Sequence, residues 1–251
     1  KCTQCVSGYS KEQSGECTKI GIKVLVATGF RNVGNEIIDL TDASFRCTVN
    51  QFPTNVYGAT GGLVGNTPVI CGGQDLYYPS GYHTSCYSLK ETGQWKHESD
   101  LNTARYHAAY GSVVMNNKLV IAGGITVGFH PLNTIEVVAP NVKSKTLPVR
   151  LQVANYEACI VPWDTNTFMF IGGHGSEYNT YFINTVTNTR IFGPHLLERR
   201  RIAGCHKLNV DGEDYIVVAG GYGSPKTTEV LSMSNYKKKG WQKSKSWKVV
   251  I

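Results

Sequence analysis

The sequence has no apolar run of membrane-spanning length and no sustained helical or heptad period, which leaves no basis for a helical membrane protein or a coiled coil. It also lacks a G-x-S-x-G elbow, an H-E-x-x-H pair, a phosphate loop and a dinucleotide fingerprint, so no motif supports a hydrolase, metalloprotease or nucleotide-binding reading. No Asn-x-Ser/Thr acceptor is present, so N-glycosylation cannot be used to argue compartment. Acidic residues are scarce, 18 against 25 basic ones, yet the resulting +7 is local. Lys237, Lys238, Lys239, Lys243, Lys245 and Lys248 supply six of those charges and leave residues 1–236 almost neutral. This tail is either a solvated surface or an attractor for an acidic partner such as an acidic glycan, anionic lipid or nucleic acid; no nucleic-acid-binding motif accompanies it.

What is abundant is glycine, 27 of 251 residues, and it is not scattered. Short apolar runs end in paired glycines at Pro68–Gly73, Lys118–Gly124, Thr167–Gly173 and Asp214–Gly221, with a variant at Val24–Gly29 in which Thr28 replaces the first glycine. The second glycines stand at 29, 73, 124, 173 and 221, so the repeat spans 44 to 51 residues. That period belongs to propellers and repeat arrays, and it lets 251 residues form one large domain whose units pack on their neighbours.

Each unit reads as four strands. A small-residue first strand opens near Tyr57, Tyr106, Tyr156 and Ile202; the glycine-ended run is the second. Glu36–Leu40, His83–Leu89, Thr134–Val138, Thr180–Asn184 and Thr227–Leu231 make the third. Phe45–Val49, Trp95–Ser99, Ser144–Pro148, Thr189–Phe192 and Ser246–Val250, poorer and more polar, suit an exposed fourth. Small residues inside and polar ones outside describe one blade of an all-β propeller.

Gly93-Gln94-Trp95, then Leu101 through Arg105, Tyr106 and His107, then Lys118–Gly124, closely resemble a kelch repeat. The resemblance covers residues 20–251, most clearly 55–221, and implies a kelch-type β-propeller of four-stranded antiparallel blades. It also implies that an Arg at a blade entrance can serve repeat-to-repeat hydrogen bonding. Departures are Thr28, the missing Trp of the third and fourth units, and Asn155 in place of the opening Arg of the fourth. Five units are visible, and the blade number stays open. Residues 1–19 form a cysteine-rich arm whose C-x2-C-x2-G-Y spacing is similar to an epidermal-growth-factor-like or receptor-type module; a simple disulfide-pinned arm is the alternative.

The eight cysteines point to disulfides in an oxidising compartment, and the start at Lys1 to a mature or trimmed secreted protein. Cys71 and Cys86 are expected to bridge adjacent strands of one blade, and Cys159 and Cys205 either staple the first strands of consecutive blades or are simply small buried residues. Cys2, Cys5, Cys17 and Cys47 would tie the arm to itself and to the first blade.

In an antiparallel blade the entrance to the first strand and the exit from the second share a face. That face collects Tyr57, Arg105, Tyr106, His107, Tyr156, Glu157 and Arg201 from the entrances, and Gln74, Tyr77, Tyr78, His130, His174, Tyr178 and Tyr222 from the exits. Aromatic faces with polar tips suit recognition of a protein or extracellular glycan, with no cofactor. The alternatives are an oxidase like galactose oxidase, which would bind copper through pairs such as Tyr82-His83 or Tyr106-His107, and a structural component of an extracellular matrix or coat.

Overall fold

The computed structural model describes residues 9–11, 17–19, 23–29, 35–39, 46–75, 81–110 and 113–244. The chain forms two compact units, Lys1–Asn55 and Val56–Ile251. The sequence-based boundary at residue 19 falls inside the first of them.

In the first unit, β1 (Tyr9–Lys11) pairs with β2 (Cys17–Lys19), and β3 (Lys23–Val26), β4 (Glu36–Asp39) and β5 (Arg46–Thr48) form an antiparallel three-stranded sheet. These three match the second, third and fourth strands of the first repeat. Asn35 is buried beside them, accepting from the Thr28 N–H at 3.3 Å and donating to the Asn50 carbonyl at 3.1 Å.

The second unit holds four blades, each a four-stranded antiparallel sheet in sequence order. The 60–100 blade contains β6 (Thr60–Val64), β7 (Thr67–Cys71), β8 (Ser85–Leu89) and β9 (Trp95–Asp100). The 113–146 blade begins with β10 (Val113–Met115) and β11 (Lys118–Ala122). A hairpin of β12 (Ile125–Thr126) and β13 (His130–Pro131) then leads into β14 (Ile135–Ala139) and β15 (Val142–Thr146). The 159–192 blade contains β16 (Cys159–Pro162), β17 (Thr167–Ile171), β18 (Thr180–Asn184) and β19 (Thr189–Phe192). The 204–243 blade contains β20 (Gly204–Val210), β21 (Glu213–Ala219), β22 (Thr228–Ser232) and β23 (Gln242–Lys243), with the short helix α1 (Tyr236–Lys239) before its last strand.

The apolar runs of the 113–146 and 159–192 blades are continuous because their middle strands are buried on both faces. Along β11, Leu119 and Ile121 pack toward the 60–100 blade, while Val120 and Ala122 pack toward the 159–192 blade. Along β17, Phe168 and Phe170 face back and Met169 and Ile171 face forward onto Ile216, Val218 and Trp241. The two-residue alternation of a strand therefore assigns odd and even residues to successive interfaces, and the core lies between blades rather than inside one sheet.

The paired glycines are the joints between blades. In three of the four pairs the second glycine donates its N–H to the entrance residue of the following blade: Gly73 to the Arg105 carbonyl at 2.8 Å, Gly124 to Asn155 at 2.8 Å and Gly173 to Arg200 at 2.9 Å. A second set of bonds runs from blade to blade nearer the axis, His107 N–H to the Gly58 carbonyl, Glu157 N–H to His107 and Ile202 N–H to Glu157, at 2.8–3.1 Å.

Two disulfides reinforce this arrangement. Cys71 is bonded to Cys86 directly across β7 and β8, and Cys159 to Cys205 across the first strands of the last two blades, with Cα atoms 4.1 and 6.1 Å apart. Cys17 and Cys47 fall on β2 and β5, while Cys2 and Cys5, and the pairing of all four, lie outside the described residues. The Cys159–Cys205 bond closes a loop of 46 residues, and Cys159→Ala/Cys205→Ala is expected to lose about 2–4 kcal/mol in chemical denaturation, most of it through a less constrained unfolded chain.

Two expectations shift. The first strands begin later than the sequence suggests, at Thr60, Val113, Cys159 and Gly204, because a left-handed residue interrupts the pleat at each entrance: Gly58, His107, Glu157 and Ile202, with φ of 64°, 49°, 59° and 56°. The last blade's fourth strand is Gln242–Lys243, fixed by Trp241, which is buried and donates its indole N–H to the Pro194 carbonyl at 3.0 Å. The expected strand at 246–250 lies outside the described residues.

Candidate functional site

Shared backbone hydrogen bonds and a left-handed third residue put Val56-Tyr57-Gly58, Arg105-Tyr106-His107, Asn155-Tyr156-Glu157 and Arg200-Arg201-Ile202 at equivalent positions in the four blade entrances. Each of the three columns has its own role.

The first column is scaffold. Arg105 is 2% exposed; its guanidinium donates to the Gly123 and Thr134 carbonyls at 2.8 and 3.2 Å, to the Thr134 hydroxyl at 3.0 Å, and to the buried Glu136 carboxylate. Glu136 also accepts the Asn102 and Thr103 amides at 2.7 and 3.2 Å, which clamps the incoming chain to the blade. Arg200 repeats the device, bonding Glu229 at 2.9 Å and the Gly220 and Thr227 carbonyls at 2.8 and 3.0 Å. Asn155 makes a smaller version, reaching the Gly172 carbonyl at 3.2 Å and the Ser176 hydroxyl at 2.5 Å. Arg105, expected at the surface, is thus withdrawn from it: a guanidinium whose hydrogen bonds are made inside a blade has nothing to offer a partner.

The second column meets the exits of the second strands, as the antiparallel geometry requires. Tyr57 bridges Gln74, Tyr106 bridges Ile125 and Arg201 bridges Tyr222, while the His174 N–H donates to the Tyr156 carbonyl at 2.8 Å. The side chains follow. Tyr57 donates its hydroxyl to Gln74 Oε1 at 2.9 Å, Tyr156 stacks on His174 with centroids 4.5 Å apart, and the Arg201 guanidinium lies 4.2 Å above the Tyr222 ring. Tyr106, 6% exposed, packs edge-on between Tyr57 and Tyr82, centroids 6.0 and 5.4 Å away.

The third column runs along the inner edge. His107 lies against Gly58, where any Cβ would strike its ring. Its Nδ1 is 2.8 Å from the Tyr110 hydroxyl and 3.5 Å from Glu157 Oε1, and Glu157 Oε2 is 3.6 Å from Arg201 Nη1. Gly58 and Tyr110 were not singled out in the sequence, and Tyr82 was named only as half of a copper-binding pair. The left-handed Gly58 was the one available hint, but the first hairpins of the blades differ in length and hide the alignment.

Burial sets the charge states. It pushes the Tyr106 hydroxyl up to about 12, assisted by the neighbouring phenols and by Glu157, and does the same to Tyr110, again with Glu157 adding to it. Tyr156 is raised by burial and Glu157 against an opposing Arg201, and burial lowers His107 despite Glu157 beside it. Near neutral pH the site therefore presents protonated phenols and a neutral imidazole around one carboxylate and one guanidinium.

The remaining expected residues separate. His130 sits exposed on β13, apart from the cluster, and half-exposed Tyr178 lines a different cleft of about 510 Å³ with Leu197, Arg199, Pro225 and Lys226. Tyr77 and Tyr78 lie outside the described residues. As for copper ligands, His83 is 3.1 Å from Asp75 and His107 is held by Tyr110, and among the described residues no three His, Cys, Asp or Glu side chains converge on one point.

Comparison with known proteins gives one kind of match. No family model matches the chain, and no curated protein does. Among solved structures, one described as "Structure of YjhT" aligns with a TM-score of 0.71 over 88% of this chain and 80% of that one, at 11% identity. At that identity the likeness speaks for the fold alone, which is all-β and propeller-like.

Proposed function

We propose that this chain is a secreted, kelch-type β-propeller that binds a protein or extracellular glycan partner through the face formed by the blade entrances and the second-strand exits. The observation that carries the reading is the second column: three successive blades present a Tyr and the fourth an Arg, each backed by a side chain from the strand exit. The half-buried Tyr57, Tyr156 and Arg201 offer ring faces and polar tips on a rigid frame, with Tyr106 buried among its neighbours, and that is the composition of a recognition surface. The kelch assignment is supported by the joint role of the paired glycines and by the recurring entrance Arg. Two disulfides in the described residues favour an oxidising compartment. The exposed lysines of α1 add a second attraction for an acidic partner.

Labelled protein is expected to bind cell surfaces or extracellular matrix saturably. Loss of that signal after protease treatment of the target identifies a protein partner; loss after glycosidase treatment identifies a glycan. Absence of saturable binding to any such surface overturns the reading. Elemental analysis of the same preparation addresses the oxidase alternative, for which stoichiometric copper is the required result.

A further inference from the structure

The cleft of about 510 Å³ opens between two second-strand exits, the loops that follow β17 and β21. That volume is within the usual range of ligand pockets, and none of its lining residues belongs to the three entrance columns. Its floor is fixed from below. The Ser224 carbonyl accepts from Arg200 at 3.2 Å, and the Thr227 hydroxyl accepts from Arg200 at 2.8 Å while donating to Glu198. Gly223 lies under the stem of Arg199, where a Cβ would fall 2.9 Å from Arg199 Cγ.

Two kinds of side chain are left on this frame. Leu197 and Tyr178 line the cleft while 50% and 48% exposed, and Pro225 is exposed on it as well. Arg199 and Lys226 are exposed cations of the same lining: the Arg199 guanidinium reaches Glu177 only at 3.9 Å, and Lys226 makes no ion pair among the described residues. Glu198, the one acid in the lining, is already paired with Lys243 at 2.6 Å and Arg200 at 3.5 Å, and hydrogen bonds from Lys243 and Thr227 hold its carboxyl down at about 2. The cleft therefore keeps a surplus of positive charge at neutral pH. A matching ligand is anionic, to meet the two cations, and carries an apolar part, to cover Leu197, Pro225 and Tyr178. A small anion leaves the apolar wall exposed, and an acidic saccharide sets mostly hydroxyls against aliphatic groups. A peptide with a carboxylate side chain beside an apolar one supplies both.

We infer that this cleft seats an acidic peptide segment of a protein partner, with an Asp or Glu side chain paired to Arg199 and Lys226 and an apolar neighbour laid against Leu197, Pro225 and the Tyr178 ring. The assignment rests on the binding-module reading, at the same end of the blades, and narrows the partner to a protein.

The probe is a positional-scanning library of acetylated, amidated pentapeptides screened against the full chain, with a heparin hexasaccharide as the anionic glycan control. Enrichment of Asp or Glu adjacent to Leu, Ile, Phe or Tyr is expected, and the best peptide should bind several-fold more weakly when salt rises from about 50 to 500 mM. Arg199→Gln/Lys226→Gln should weaken that peptide by about 10-fold, the worth of two exposed ion pairs, with the unfolding midpoint unchanged. Leu197→Ser should erase the apolar preference and keep the acidic one. Failure to enrich any peptide, enrichment of neutral or basic ones, or an unchanged affinity in the double variant overturns the assignment. Tighter binding of the hexasaccharide that is lost in the double variant overturns it too, in favour of an acidic glycan. If the peptides fail while the protein still attaches saturably to cell surfaces, the cleft assignment alone falls; absence of both removes the binding-module reading as well.

Discussion

Replacing Gly123 by Ala is expected to unfold the 113–146 blade's joint with its successor and to cost more than about 4 kcal/mol, whereas Gly220→Ala should cost only about 1–2 kcal/mol. The two glycines have nearly the same backbone, φ of 67° and 63°, so the left-handed penalty is common to both. They differ in what a Cβ would meet. At Gly123 it would fall inside contact distance of the Asn155 carbonyl, in the very segment whose carbonyl accepts from Gly124. At Gly220 the nearest atom is the Pro225 carbonyl oxygen, 3.6 Å away. Neither backbone carbonyl can swing aside like a flexible side chain, and only the first one has to. Urea denaturation of the pair therefore separates local strain from blade packing; equal losses would mean that the collision at Asn155 is relieved by an easy shift.

The second large effect is expected at Arg105. Arg105→Met leaves Glu136 charged, fully buried and short of its main partner, and should cost about 3–5 kcal/mol. Arg105→Met/Glu136→Leu removes both charges and should recover most of that loss, because the desolvation of two ions disappears with them. A double-mutant cycle in chemical denaturation reads the coupling directly, and a near-additive result would show that the pair is not coupled. Neither change should alter partner binding in molecules that remain folded, which is where Arg105 departs from a surface role.

The repeat period, the strand inventory and the shared face were readable because burial on both sides of a strand forces continuous apolar runs, and because close packing leaves glycine at every joint. The starts of the first strands were not, since the left-handed positions at His107, Glu157 and Ile202 carry residues that give no turn signal. The role of Arg105 was hidden for another reason. Its deciding partner, Glu136, is 31 residues away, and an Arg beside Tyr-His looks alike in sequence whether it points in or out. A signal did exist within the chain: Arg105 and Arg200 go with Glu136 and Glu229, while Asn155 goes with Tyr181 at the register position of those acids. Internal repeats let one sequence display such coupled changes. The inner-edge column shows the limit, because Gly58, His107, Glu157 and Ile202 share no chemistry and only their backbone reveals that they are equivalent.

The most direct test of the binding face compares the attachment of three labelled proteins to the same cell-surface or matrix target. These are the wild type, Tyr156→Ala/His174→Ala at the face, and Lys118→Ala at the opposite end of a blade, with unfolding curves measured alongside. The face variant is expected to bind at least about 10-fold more weakly, the loss of a stacked aromatic contact together with its polar tips, with its unfolding midpoint nearly unchanged and Lys118→Ala indistinguishable from wild type. Wild-type attachment by the face variant, or loss of attachment in Lys118→Ala, would contradict the placement of the binding surface.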